Sequence, residues 1–308
     1  MIAKSNKLDL IVPTIPKDLN ILLGNINMYF EKLPINRIII IGNEEVLKLL
    51  PKDERIPFIN EELLINFDLL KRIIINRTGS EEAGRRTGWY VQQFIKMAYS
   101  RICDNEYYLL WDSDTIPLKR IEFYGTEHPY IDCKTEYHEP YFITIEKLFP
   151  GMKKCIDGSF ISEHMLINAP IMREMIDNIE SNDELKGKSF EEKILNAIPI
   201  EFLANSGFSE FETYGTYVSI KYPKLYCLRK WKSMRYGGFF FNGINNMTEN
   251  NVKWLSKSYD AVSFEKGDNI SLISTFVQSK HFEKIFNPSV LEVLAFAIRA
   301  VRKITGKR

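Results

Sequence analysis

The stretch Tyr107-Tyr108-Leu109-Leu110-Trp111-Asp112-Ser113-Asp114-Thr115 constrains this chain most: an apolar run closes abruptly on two carboxylates one residue apart. Five bulky residues without alternating polarity describe a parallel strand covered on both faces, and ligands of open α/β sheets gather at the carboxyl ends of such strands. Side chains alternate along a strand, so Asp112 and Asp114 are expected on one side and Ser113 on the other. Two hard oxygen donors so placed suit one divalent cation, Mn²⁺ or Mg²⁺, holding a diphosphate. A plain strand-terminal turn, in which Asp and Ser bond the nearby backbone, accounts for the acids but not for the apolarity before them.

The remaining composition is that of an ordinary folded chain. Its 308 residues, 45% hydrophobic and 26% charged, can bury a full core and suit one large domain or two small ones. Forty-one basic against 40 acidic residues leave a net charge of +1, so no global field argues for nucleic acid. Cys103, Cys133, Cys155 and Cys227 lie too far apart for a zinc or redox motif, and reduced thiols are the default. Met1 to Pro13 lacks the apolar core of a signal peptide, and no uninterrupted apolar segment is long enough to span a bilayer. A cytoplasmic protein is the expectation.

A first strand is read at Leu8–Thr14, a helix around Asp18–Phe30, a second strand at Arg37–Asn43 and a short helix at Glu44–Leu50. From Gly88 to Ile102, Val91, Phe94, Ile95, Ala98 and Ile102 recur at helical spacing and feed the strand that carries Asp112. This β-α-β rhythm makes the chain α/β, with a Rossmann-type nucleotide-binding sheet followed by an aromatic-rich part suited to a second substrate. The expected division is 1–120 for donor binding, 121–285 for acceptor binding and catalysis, and 286–308 for a basic amphipathic helix.

An Asp-x-Asp pair closing the last strand of an N-terminal nucleotide-binding half resembles the GT-A class of nucleotide-sugar-dependent glycosyltransferases. Gly88-Trp89-Tyr90-Val91-Gln92-Gln93, Trp111-Asp112-Ser113-Asp114-Thr115, Glu163-His164-Met165 and Ser209-Glu210-Phe211-Glu212-Thr213-Tyr214-Gly215, in that order, resemble a bacterial family linked to capsule and lipopolysaccharide synthesis. The resemblance extends from about Leu8 to Gly238. It implies transfer of a sugar from a nucleoside diphosphate sugar, usually of uridine diphosphate, onto a surface glycan. It also implies Asp114 as the direct metal ligand, with Asp112 at the ribose or reaching the metal through water. The phosphatase-type Asp-x-Asp-x-Thr motif of haloacid dehalogenase enzymes fits less well, because Thr115 comes one position early, Ile116 stands where Thr belongs, and that motif usually closes a first strand.

The chemistry points the same way. Cleaving a sugar from a diphosphate develops negative charge on the leaving phosphate, which a cation held by Asp112 and Asp114 would stabilise. Arg86 is a candidate for phosphate and Trp89 or Gln93 for the donor pocket, against a solvated basic loop and a core tryptophan. His164 interrupts a mostly apolar segment and needs a partner; the resemblance favours contact with donor or acceptor over a satisfied structural histidine. His281 is the place to look for a third metal ligand of the kind many GT-A enzymes carry, although it stays outside the assigned site. An inverting transfer needs a carboxylate to accept the acceptor's proton. Ser209 and Glu212 have the spacing of a capping box, which leaves Glu210 as the base, against a first-turn acid complementing the helix dipole.

Trp231 to Gly238 reads either as a loop over the diphosphate or sugar or as a tight turn against the core. In the tail, Val290, Leu291, Val293, Leu294, Ala297, Ile298, Val301 and Ile304 recur at helical spacing with Arg299, Arg302, Lys303, Lys307 and Arg308, a pattern for peripheral association with an anionic membrane or for packing on the chain's own domain. The partners expected are a nucleotide-sugar donor and a glycan or lipid-linked acceptor. A nucleotide-sugar-binding protein without turnover is the alternative, and a phosphoester hydrolase a third.

Overall fold

The computed structural model describes residues 8–241, 247–264 and 277–305. Backbone contacts divide them into two compact units that interleave in sequence. The first unit takes the residues up to Pro16, Ile35–Asp112 and Phe123–Lys230; the second takes Lys17–Pro34, Ser113–Glu122 and the residues from Trp231 on. Each unit thus draws on both sides of the expected boundary at 120/121.

The first unit is a mixed α/β layer structure. Its sheet joins β1 (Leu8–Pro13), β2 (Ile35–Gly42), β3 (Phe58–Asn60), β4 (Tyr107–Trp111) and β7 (His164–Asn168) in the order β3-β2-β1-β4-β7. The first four run parallel, whereas β7 is antiparallel to β4, with Trp111 opposite His164. All of β1 and all of β7 are buried, as is β4 from Tyr108 to Trp111, and Ile11, Ile39, Ile41, Tyr108 and Leu110 pack with the helices of this unit in one core. A separate parallel pair joins β6 (Tyr130–Cys133) and β8 (Cys227–Lys230).

The helices of this unit are α3 (Glu44–Leu49), α4 (Phe67–Thr78), α5 (Thr87–Ala98), α6 (Glu139–Leu148), α7 (Ala169–Glu180), α8 (Phe190–Ala197), α9 (Ile200–Leu203) and α10 (Glu210–Lys221). Their boundaries follow local chemistry. Asn66 accepts from the Leu69 amide to open α4, and Gly79, at φ +65°, closes it in the left-handed region. Asn168 accepts from Ile171 N to open α7, with Pro170 in its first turn. Buried Phe94, Ile95, Leu110, Met172, Tyr214 and their neighbours form one core.

The second unit holds α1 (Pro16–Gly24), α2 (Ile26–Lys32), α11 (Gly237–Phe241), α12 (Glu249–Leu255), α13 (Lys280–Ile285) and α14 (Val290–Thr305). They accompany a small sheet of β5 (Thr115–Pro117), β9 (Ser233–Met234) and β10 (Ala261–Ser263), in the order β5-β10-β9. Its core includes Ile116, Met234, Phe240, Trp254, Val262, Leu291 and Ala295. The helix read around Asp18–Phe30 is two helices, broken where Gly24 and Asn25 interrupt the apolar spacing. The segment from Trp231 forms β9 and α11; a Cβ on Gly237 would lie 2.8 Å from Ser263 O, so this glycine serves close packing against the core.

Two expectations need correction. The strand carrying the acids stops at Trp111; Asp112 follows it, Ser113 and Asp114 form a turn, and Thr115 opens β5 in the other sheet. The alternation argument therefore does not apply to Asp112 and Asp114, because Asp-Ser-Asp is turn chemistry and ends the ladder. The strand is also not bounded by parallel neighbours alone, since β7 flanks it antiparallel.

Candidate active site

Sheet order locates the crevice. From β1 the chain builds outward through β2 and β3, whereas β4 lies on the opposite side of β1. That reversal, at the carboxyl ends of β1 and β4, is the topological switch point where open α/β sheets bind ligands. Gly42 at the end of β2 fits this edge: a Cβ there would stand 2.9 Å from the carbonyl oxygen of Thr14.

Asp112 sits on that edge and is held twice. Its backbone N–H donates to Glu163 O at 2.9 Å, and its Oδ1 accepts from Lys96 Nζ at 2.7 Å. Glu163 adopts φ +60°, a strained setting for a non-glycine residue, and its carboxylate accepts from Lys134 Nζ at 2.6 Å. The strain aims the Glu163 carbonyl at the residue that opens the turn.

Lys96 also donates to Glu210 Oε1 at 2.7 Å, and its ammonium lies 4.3 Å from the centroid of the Phe211 ring. The lysine is 3% exposed and Glu210 4%, so the pair is cut off from water. Burial disfavours the ammonium, but the charges and hydrogen bonds of Asp112 and Glu210 outweigh it and hold its pKa well above the ordinary lysine range. Lys96 is the residue the sequence reading missed. It falls on the stripe Trp89, Gln93, Lys96, spaced i, i+4, i+7, so the next turn of the helix face already chosen would have reached it.

Gln93 acts from the same stripe by accepting the Glu210 N–H through Oε1 at 3.2 Å, which fixes the start of α10. Ser209 caps that helix as expected, accepting from Glu212 N at 3.2 Å. The reciprocal half of the box is absent. Glu212 turns away to accept from Ser159 Oγ at 2.6 Å and Phe160 N at 3.1 Å, and burial raises its pKa.

His164 is 1% exposed, with Nε2 2.8 Å from Asp132 Oδ2 and Nδ1 2.8 Å from Ser162 O. Its ring packs 5.0 Å from that of Trp111. Asp132 also accepts from Arg229 Nε at 2.6 Å and Nη2 at 2.7 Å. Burial raises the carboxyl of Asp132, but the hydrogen bonds from Arg229 and His164 prevail and hold it below its usual value. With Nε2 at Asp132 and Nδ1 at Ser162 O, the His164 ring ties β7 to β6.

Arg86 and Trp89 stand at the opposite end of α5 from Lys96. The guanidinium of Arg86 lies 4.0 Å from the Trp89 ring centroid, and its Nη2 donates to Ser206 Oγ at 3.0 Å. Ser206 also meets His138, whose Nε2 is 2.8 Å from its carbonyl oxygen, and the hydroxyl of Tyr141. Burial, reinforced by the charge of Glu210, pushes the Tyr141 phenol up to about 12.

In the second unit, Asp114 accepts a hydrogen bond from Thr115 Oγ1 at 3.3 Å, and its carbonyl accepts from Phe264 N at 2.9 Å. His281 is exposed on α13. Among the described residues no group of three or more His, Cys, Asp or Glu side chains forms a metal cluster. Arg302, Lys303 and Ile304 have side chains outside the described part, and Lys307 and Arg308 lie outside the described residues altogether.

Residues 5–138 match the family described as a family of unknown function, DUF6492. No curated protein matches the sequence. Among solved structures, mouse xyloside xylosyltransferase 1 in its apo form is similar at 13% identity and a TM-score of 0.42, over 86% of this chain and 99% of that one. The galactosyltransferase LgtC, in complex with donor and acceptor sugar analogues, is similar at 11% identity and 0.41, over 88% and 94%. The bifunctional glycosyltransferase WbbM in its apo form is similar at 11% and 0.39, over 87% of this chain and 47% of that one.

Proposed function

We propose that this chain is a glycosyltransferase of the GT-A class that moves a sugar from a nucleoside diphosphate sugar, with uridine diphosphate as the nucleotide, to a bacterial capsule or lipopolysaccharide glycan. The observation that carries the reading is Asp112 at the switch-point crevice, joined through a buried ammonium to Glu210. Phosphoester hydrolysis is disfavoured because the acids follow the fourth strand of the chain rather than the first.

A divalent ion on these two carboxylates is part of the proposal, on the chemistry of the residues. Asp112 gives one oxygen to Lys96 and retains another, its side chain is 28% exposed, and Asp114 supplies a second hard carboxylate two residues on. Two carboxylates completed by phosphate oxygens and water are what Mg²⁺ or Mn²⁺ takes in phosphate sites. Such an ion would offset the charge developing on the leaving diphosphate. Lys96 fixes Asp112 and Glu210 in direction, Glu163 O fixes the backbone of Asp112, and Gln93 fixes the first turn of α10. In an inverting transfer Glu210 takes the proton of the attacking hydroxyl.

Binding of a nucleotide sugar without turnover is a second reading, favoured by the burial of Glu210 and its pairing to Lys96. A screen of sugar nucleotides with Mn²⁺, reading released nucleotide with and without glycan acceptors, tests the assignment. Acceptor-dependent release that disappears in Asp112→Asn supports transfer; donor binding without any release supports the second reading.

The enzyme is further proposed to work at the inner face of the cytoplasmic membrane through α14. Leu291, Leu294, Ala295 and Ile298 of that helix pack on the core of the second unit, while Val293 and Phe296 are 67% and 76% exposed. Among the described residues no helix is long and apolar enough to cross a membrane, so an interfacial position is the form of attachment that suits this helix.

A further inference from the structure

Among the described residues, Glu163 is the only one other than glycine with a positive φ, at +60°. A side chain is disfavoured in that region, so the setting persists only where neighbouring contacts over-determine it. The Glu163 carbonyl accepts the Asp112 N–H at 2.9 Å, and His164, the next residue, pairs with Trp111 across the β4 and β7 ladder. The strain therefore sits one hydrogen bond from Asp112.

Lys134, directly after β6, holds both ends of the segment that carries this strain. At one end its backbone pairs with Ser159, Lys134 N donating to Ser159 O at 2.9 Å and Ser159 N donating to Lys134 O at 3.0 Å. A Cβ on Gly158 would collide with Lys134 O, so the two strands of chain approach this closely only with glycine there. At the other end Lys134 Nζ donates to Glu163 Oε1 at 2.6 Å, with the lysine side chain 12% exposed and the glutamate side chain 8%. Glu136 lies 3.7 Å from the same Nζ and its side chain is 37% exposed. An exposed pair fixes a side chain only weakly, so the bond to Glu163 is the one that sets the ammonium.

Between its two ends the segment is tied to α10. Ser159 Oγ and Phe160 N both donate to Glu212 Oε2, and a Cβ on Gly215 would overlap the Phe160 ring. These anchors hold the chain before Glu163. Rotation about the Glu163 N–Cα bond towards a negative φ would then carry its carbonyl away from the Asp112 N–H and pull its carboxylate off Lys134. The ion pair opposes the relaxation that the strain favours.

We propose that Lys134 is a positioning residue for Asp112, acting through the strained backbone of Glu163. Its use in catalysis rests on the transferase reading, in which Asp112 serves the donor diphosphate; the placing of Asp112 does not.

Two double variants of the full chain test the role, with amide hydrogen exchange followed residue by residue by NMR. Lys134→Met with Glu163→Gln removes the clamp and leaves no buried charge unpaired, so the fold is kept while the strain is released. Exchange of the Asp112 N–H should quicken by about tenfold or more, the local opening expected when one strained residue relaxes. Leu110, inside the β4 ladder, should stay within about twofold of wild type, because global destabilisation would quicken both. Lys134→Met with Glu163→Gly should bring Asp112 back to within about threefold of wild type, since glycine takes φ +60° without cost and needs no clamp. Unchanged Asp112 exchange in the first variant, equal quickening at Leu110, or no recovery with glycine would overturn the proposal. Uridine diphosphate with Mn²⁺, titrated by calorimetry into the same proteins, should bind in the same order, with the donor KM moving more than kcat. Undiminished binding by the first variant beside faster Asp112 exchange would overturn the part of Lys134 in the donor site. No binding by the wild type, beside the expected exchange pattern, would overturn the transferase reading and leave the placing of Asp112 by Lys134 standing.

Discussion

Lys96 Nζ stands 2.7 Å from Glu210 Oε1 although the two residues are 114 positions apart, and both side chains are about 5% exposed or less. A contact of that kind joins α5 to α10, and through the second bond to Asp112 it also fixes the end of β4. Three chain segments meet at one ammonium, so its loss should be felt in the fold before it is felt in chemistry.

Replacing Lys96 by Met keeps the length of the side chain and removes the charge, leaving Asp112 and Glu210 facing each other without compensation. Breaking a buried pair by removing one partner typically costs about 3–5 kcal/mol. Urea unfolding should show a loss of that order, while Lys96→Arg, which keeps the charge, should lose less. Equal midpoints for wild type and Lys96→Met would show that the triad contributes nothing to stability.

Asp112→Asn and Asp114→Asn should each abolish metal-dependent donor binding and transfer, because the amide removes a ligand charge at constant volume. Asp112→Asn should also lower stability, since Oδ1 pairs with Lys96; Asp114→Asn has no such tie to the buried lysine. Calorimetry with uridine diphosphate and Mn²⁺ decides. Undiminished metal-dependent binding by both variants would remove the metal-site assignment.

Glu210→Gln should lower kcat by about a hundredfold or more with the donor KM little changed, as loss of a general base implies. Glu212→Gln should leave kcat near wild type, because Glu212 is turned to Ser159 and Phe160 and an amide oxygen can accept the same two hydrogen bonds. A reversed pattern would assign the base to Glu212. If both variants turn over normally, the Lys96–Glu210 pair is a scaffold and the base lies elsewhere.

Much of this site was legible in the sequence, for reasons that can be stated. The apolar run before Asp112 fixed a buried strand, and the helical spacing of Val91, Phe94, Ile95 and Ala98 fixed the helix before it. Ser209 was a readable cap because its partner lies three residues on. Lys96 was not read, because a lysine between Ile95 and Met97 looks like surface until the acids it meets, 16 and 114 residues away, are brought to it by the sheet. The same holds for His164: whether a buried imidazole is a ligand or a strut depends on Asp132 and Arg229, and no local pattern shows that pairing. The end of β4 was misread because strand periodicity was carried through an Asp-Ser-Asp turn. Interleaving of the two units is long-range information of the same kind.

Acid stability should depend on Asp132. Its carboxyl is held below its unfolded value of about 3.9, so its stabilising contribution is present above that pH. The contribution is lost as pH falls through the lowered folded value, because the unfolded chain then binds the proton first. Wild-type unfolding free energy should therefore drop below about pH 4, and Asp132→Asn, already weakened at neutral pH, should show a shallower acid limb. Parallel acid limbs in the two proteins would remove Asp132 as a source of the dependence.

Membrane attachment is tested without deleting α14, because Leu291 and Ala295 are buried in the second unit and truncation would strip its core. Val293 and Phe296 lie on the exposed side of the helix instead, where an apolar surface can enter the acyl boundary. Arg299 is engaged with the Tyr236 hydroxyl at 2.6 Å, so it is the exposed apolar pair rather than this arginine that should carry insertion. Val293→Asp with Phe296→Asp adds two negative charges and removes the apolar contact, and each charge near an anionic surface shifts attraction by about 1 kcal/mol. The double variant should remain in the supernatant when sedimented with phosphatidylglycerol vesicles, whereas the wild type pellets and is released by added salt as screening predicts. Transfer to a short soluble acceptor should be the same in both. Equal pelleting of the two proteins would show that α14 only packs on its own unit.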